Sequence, residues 1–256
     1  MTTLSATSTI VLTPTLKLFD LAGVTRGHEV TRKDRHLSSG VVVLDHLLGG
    51  GLVPGRITEI VARGHGWMNI AAAFVASVTR RGEAAAWIDP SNAFGPASMA
   101  MAGIDLERVL WVAADDVSIS TTLQYEFTSS PPARGRWTAY QAAELVLNTG
   151  GFSLVVVDVS GRNYPLAQSA ALRLAHQAER SGTAVIVAIP QRTGGTFAAL
   201  YLAVACIDTF FAGSADDGPV TFEGFALEVM VIRNKLGPSG QRAVIEACAT
   251  MPASAG

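Results

Sequence analysis

Charge is what this sequence has least of. Asp, Glu, Lys and Arg make up 16% of its 256 residues, against 49% hydrophobic ones. Average soluble domains carry about 25% charged residues, so some apolar surface is expected to meet a partner. The formal net charge is −2, which argues against a strongly basic nucleic-acid face. Cysteine is nearly absent. Cys206 and Cys248 sit in apolar runs and read as buried small hydrophobes of a reducing compartment. No apolar stretch reaches the roughly 18 residues of a membrane span, since 198–207 is stopped by Asp208. Residues 1–14 lack the basic start and apolar core of a secretory signal. A soluble, cytoplasmic protein without a membrane partner is expected. The five histidines, His28, His36, His46, His65 and His176, show no metal-ligand spacing. No G-x-S-x-G or Cys/His signature of nucleophilic catalysis occurs. Neither a metal nor a catalytic residue is expected.

What is present is an alternation of strands and helices. A chain this long suits one α/β domain and can bury roughly 70–75% of its unfolded surface. Apolar, β-branched runs at 57–61, 84–89, 109–113, 152–159 and 183–189 predict buried strands. Amphipathic patterns at 68–79, 94–102, 137–148 and 166–180 predict helices, the last with Leu166, Ala170, Leu172 and Leu174 on its apolar side. Ser39 can cap a helix over the following VVVLDHLL, and Gly49, Gly50 and Gly51 can end it. Residues 115–135, rich in Ser, Thr and Pro, predict a long surface loop. Residues 196–205 fit a helix or a strand. Then 207–212, 226–233 and 242–249 follow as strands in succession, which predicts a mostly parallel sheet extended by antiparallel strands. Residues 1–15 read as a loose tail, 16–23 as a short helix or strand, and 25–36 as a charged linker or docking arm. This gives an arm at 1–36, a core at 37–250 and a small tail at 251–256.

The segment 55–70, GRITEIVARGHGWMNI, organises the rest. It has the strand, glycine turn and helix of a phosphate-binding loop. It lacks that loop's chemistry. In the frame G-x-x-x-x-G-K-[ST] set by the strand, Ala62, Trp67, Met68 and Asn69 fill the key places. No lysine reaches toward a phosphate and no hydroxyl follows to hold Mg²⁺. Each lost charge-assisted contact forfeits about 1.5–3 kcal/mol. The degenerate pocket therefore comprises Arg63, Gly64, His65, Gly66, Trp67, Met68 and Asn69. Asp158, at the end of LVVVD, has the place of a Walker-B acid and is read as vestigial. A Rossmann site built from Gly64, Gly66 and Asp89 wants a glycine or alanine where Asn69 stands, so that match is weak.

These motifs line up with one family. Residues 37–60, LSSGVVVLDHLLGGGLVPGRITEI, resemble the entry to the RecA recombinase core. Residues 87–96 are similar to its FIDAEHALDP, residues 102–110 to its LGVDIDNLL, and residues 231–235 to its VKNK. The resemblance implies a RecA-like α/β core over roughly 37–249. It places Met68 on the family's phosphate-loop lysine, Asn69 on its Mg²⁺ threonine and Ser91 on its water-activating glutamate. Gln191 resembles a sensor glutamine, and Arg233 and Lys235 resemble residues that reach a neighbour's nucleotide. The two DNA-contacting loops are short here, so weak or no DNA binding is expected. Within the superfamily the chain is similar to the ImuA accessory family. That implies a non-catalytic role in SOS mutagenesis and translesion synthesis, without a cofactor, through contacts with RecA and an ImuB-type polymerase-like protein, with self-association also open. A SulA-like division inhibitor and an atypical NTPase are the alternatives.

Overall fold

The structure is a computed structural model that describes residues 10–13, 36–64, 66–113, 138–161, 168–190, 197–213 and 220–249. Its frame is a nine-stranded sheet. In chain order the elements are β1 (Ile10–Thr13), α1 (Val42–Leu47), β2 (Ile57–Arg63), α2 (Trp67–Arg80), β3 (Ala84–Ile88), α3 (Pro96–Met101), a 3₁₀ turn (Leu106–Arg108), β4 (Val109–Val112), α4 (Ala139–Thr149), β5 (Phe152–Asp158), α5 (Gln168–Ser181), β6 (Ala184–Ile189), β7 (Leu200–Ala212), β8 (Thr221–Asn234) and β9 (Arg242–Ala249). The spatial order is β1-β9-β8-β7-β2-β6-β5-β3-β4. From β7 to β4 all pairings are parallel. β8, β9 and β1 then add antiparallel strands at one edge.

Period-two alternation divides the strand side chains between two cores. Leu154 and Val156 face one side with Trp87 and Ile186, under α1, α2 and α3. Val155 and Val157 face the other with Val185 and Val187, under α4 and α5. Strands covered on both faces read as continuous apolar runs, which is why these were visible in the sequence. Along α2, Trp67, Ile70, Ala71, Phe74, Val75 and Val78 are buried at i, i+3, i+4 spacing, and the small Ala72, Ala76, Ser77 and Thr79 widen that buried face. α4 starts with a capping box: the Gln141 N–H donates to Thr138 Oγ1, and the Thr138 N–H donates back to Gln141 Oε1.

Five details depart from expectation. Ile10–Thr13, placed in a loose tail, pairs with β9 instead; its β-branched run covers an edge that would otherwise stay open. The separate segments at 196–205 and 207–212 are one strand, Leu200–Ala212. A bulge between Cys206 and Asp208 carries the strand past the polar residue into an exposed half. Ser39 does not cap α1, whose N-cap is Val41 with no side-chain bond. Its hydroxyl instead donates to Asp45 Oδ1 at 2.7 Å, beside a 2.6 Å bond from Ser38 Oγ to Oδ2. On α5 the buried stripe is Ala171, Leu174 and Ala178, while Leu172 is exposed. Cys206 is an exposed free thiol rather than a core residue, because it lies where β7 leaves the packed layers. The readings at 16–23, 25–35 and 115–135 and the side chain of Cys248 lie outside the described residues.

Candidate functional site

Every parallel strand ends on the same side of the sheet, and there the acids and the glycine turn converge. β2 ends at Arg63 and α2 begins at Trp67. Gly66 has helical φ, −61°, so no conformational demand selects glycine. A Cβ there would lie 2.4 Å from Leu227 Cδ2, so that side chain would have to shift to admit one. Leu227 of β8 is itself buried. The turn is thus clamped against the antiparallel half of the sheet. Trp67 is 3% exposed, whereas Met68 and Asn69 are half-buried in the first turn of α2. That turn has no side-chain cap and no acidic residue.

Trp67 begins a row of rings. Its centroid is 6.2 Å from that of Trp87, which is 5.3 Å from Phe94, which is 5.4 Å from Trp111. The row fills the space between the turn and strands β3 and β4. The Trp87 indole N–H is fully buried with no hydrogen-bond partner among the described residues. Trp111 is satisfied, donating from Nε1 to Asp89 Oδ2 at 3.2 Å.

Asp89 and Asp158, each 1% exposed, are the acids of the site. Asp89 follows β3 and accepts from the Ala93 N–H at 3.0 Å and the Phe94 N–H at 2.8 Å. It therefore shapes the turn that carries Ser91 and Asn92, the latter at φ 53°. Ser91 sits beside Gly161, where a Cβ would lie 3.2 Å from Ser91 Oγ. Asp158 ends β5 and accepts from the Ser160 N–H at 2.9 Å and its hydroxyl at 2.6 Å. Burial raises the Asp158 carboxyl above its ordinary range and the nearby Asp89 raises it further, while the Ser160 bonds pull it down. β6 lies between β2 and β5, so Asp158 faces the turn across one intervening strand.

The structure therefore gathers Gly64, Gly66, Trp67, Met68, Asn69, Ser91 and Asp158 at one end of the sheet. It does not bring Arg233 and Lys235 to them. Tyr201 of β7 pairs with Arg233, and Thr58, near the start of β2, pairs with Leu200. The basic pair thus lies at the opposite end, roughly 20 Å away along a seven-residue strand at ~3.3 Å per residue. Arg233 stacks over the Tyr201 ring at 5.7 Å. The Lys235 amine is lowered by burial, then by the charges of Arg233 and Arg56. His65, Gln191, the Arg63 side chain and most of the two shortened loops lie outside the described residues. Among the described residues no group of His, Cys, Asp and Glu could hold a metal ion, and no helix is long and apolar enough to cross a membrane. Sequence reasoning weighed Asp89 only as a dinucleotide acid. Its position directly after a buried strand was the available signal for its turn-forming role.

A twisted, mostly parallel sheet with helices on both faces, and with a glycine turn and two acids at the strands' carboxyl ends, is the layout of the RecA-type core. Residues 17–168 match the RecA N-terminal domain family, and the chain belongs to it. Protein RecA of Francisella philomiragia is 26% identical over 244 residues, covering 82% of this chain and 62% of the relative. Protein RecA of Nostoc punctiforme is 35% identical over 104 residues, 40% of this chain and 29% of the relative. The chain thus spans under two thirds of the length of these relatives. The crystal structure of the RadB recombinase superposes with a TM-score of 0.56 at 18% identity, covering 81% of this chain and 94% of that one. This last likeness speaks to the fold.

Proposed function

We propose that this chain is a non-catalytic RecA-like accessory protein of damage-induced (SOS) mutagenesis, acting in translesion synthesis through contacts with RecA and an ImuB-type polymerase-like protein. The reading rests on one observation: the turn and strand ends of a nucleotide site are kept while the groups that grip phosphate are replaced. A buried indole stands at the loop glycine, Met68 and Asn69 stand at the lysine and threonine, and Ser91 stands at the glutamate. An enzyme that moves a phosphoryl group depends on charge placed at its oxygens, and Trp67, Met68, Asn69 and Ser91 supply none.

Purified protein with ATP and Mg²⁺ is expected to show neither tight binding by calorimetry nor phosphate release above background, and Asp158→Ala should change neither. Co-purification should recover RecA and the polymerase-like protein in preference to a tubulin-like division protein. ATP turnover that Asp158→Ala abolishes would overturn the reading. The position of Arg233 and Lys235 at the far end of the sheet also suits a second reading, an atypical NTPase that borrows them across a subunit contact. Tight Mg²⁺-dependent nucleotide binding by an oligomer, lost in Arg233→Ala, would favour it.

A further inference from the structure

A groove of about 270 Å³ runs along the flank of α2. Its floor is a ridge of small side chains, Ala72, Ala73 and Ala76. Its walls are residues 41–43 on one side and Ile245 and Ala247 of β9 on the other. Asn69 stands at one end and Arg80 at the other, about 16 Å apart at ~1.5 Å per residue. Ala72 and Ala76 are nearly covered already, at 6% and 2% exposed, so an incoming side chain would meet mainly Ala73 and the rim of the groove. The volume is below the roughly 300–1,000 Å³ of small-molecule sites. It is suited to one or two apolar side chains projecting from a peptide. Val42, 78% exposed at the rim, adds apolar surface that a partner would cover.

Arg80 tells which partner. The neighbouring arginines are committed: Arg81 pairs with Glu83 and Arg108 with Asp105, each at 3.1 Å. Arg80 makes no hydrogen bond or ion pair among the described residues. Its exposed side chain passes close to two glycine turns. A Cβ at Gly40 would lie 3.1 Å from one of its terminal nitrogens, and one at Gly103 would lie 3.2 Å from the other. An exposed cation beside two glycine turns at the end of the groove, with no counter-ion among the described residues, is available to pair with an incoming carboxylate. Its planar fork matches a carboxylate. A single cation on a chain of net charge −2 does not make a face for nucleic acid or an anionic membrane.

We infer that this groove docks a short helical segment of another protein, one that buries an apolar residue against the α2 alanines and presents a carboxylate to Arg80. The inference goes beyond the nucleotide-pocket reading, because it uses neither Asp89 nor Asp158 and would stand in a chain that hydrolysed ATP.

The test uses the full chain with labelled Ala, Ile and Val methyl groups in NMR. Two synthetic acetylated helical peptides serve as probes. Both carry a leucine/alanine stripe, and they differ only in one glutamate or glutamine a turn beyond it. The glutamate peptide is expected to shift the methyls of Ala72, Ala73, Ala76, Ile245 and Ala247 saturably. Arg80→Gln should weaken that peptide about tenfold or more and leave the glutamine peptide unchanged. Ala73→Trp should block both, while neither substitution alters the fold reported by methyls in the other core. Shifts centred elsewhere, no saturable binding, or equal weakening of both peptides by Arg80→Gln would overturn the inference. So would contacts between the groove methyls and residues 14–35 in the protein alone, which would mean the chain fills its own groove. Concentration-dependent shifts at these methyls, which would mean a second copy fills it, would do the same. ATP turnover, which would sink the reading under Proposed function, leaves all these shifts as they are.

Discussion

Truncating Trp67 separates the two ways of viewing the altered loop. If the indole merely blocks a pocket, removing it should cost little. The structure makes it core: 3% exposed, in the same cluster as Ile70, Phe74 and Leu227, and 6.2 Å from the Trp87 ring. Trp→Ala at such a site costs about 3–5 kcal/mol, of which the ring pair accounts for roughly 0.5–1.5 kcal/mol. At about 2–4 °C per kcal/mol for a domain of this size, Tm should fall by roughly 6–20 °C. Urea unfolding followed by circular dichroism measures it, with an unchanged m-value showing that the unfolded state is not the cause. A loss under ~1 kcal/mol would refute the argument. The companion variant Met68→Lys with Asn69→Thr changes half-buried residues and should cost under ~1 kcal/mol. It should still show no ATP turnover, because Trp67 stays in the core and Ser91 still supplies no carboxylate. Measurable turnover would show that the loop residues alone decided the matter.

Three further outcomes are expected. Asp158 binds its proton more tightly folded than unfolded, so wild-type stability relative to Asp158→Asn should fall as pH rises from the ordinary value of 3.8 through the raised one, then level off. A gap that widens in the other direction would contradict the burial argument. The Tyr140 hydroxyl is buried without a hydrogen-bond partner among the described residues, and its ionisation is pushed up by burial and then by Glu59. Tyr140→Phe should therefore be neutral or stabilising by about 1 kcal/mol in urea titration, and a clear loss would reveal a missed bond. Gly51→Ala places a Cβ 2.2 Å from the Leu37 carbonyl oxygen at φ 122°. It breaks into the Leu37–Leu52 bridge and should cost more than about 2 kcal/mol, with an unchanged unfolding midpoint counting against this geometry.

The α/β order and the buried strands were legible in the sequence, because each depends on local period and β-branching. Strands packed on both faces must be apolar throughout, so residues 154–157 and 185–189 could hardly read otherwise. The strand, glycine turn and helix at 57–80 were likewise legible, because β2 and α2 are adjacent in the chain. Other features depended on neighbours distant in the chain. β7 crosses Asp208 because its outer half extends beyond the packed layers, and Ile10–Thr13 is a strand because β9 offers an edge. Trp67 was legible only as the residue at a loop-glycine place, and the Trp87 ring and the rest of its cluster are what make it core. Arg233 and Lys235 were read by resemblance as reaching a neighbour's nucleotide, and the antiparallel return of β8 sets them at the end of the sheet away from this chain's own glycine turn. Residue type fixes what a segment can be. Only the packing of segments far apart in sequence decides whether a side chain fills the core, closes a turn or is left facing a partner.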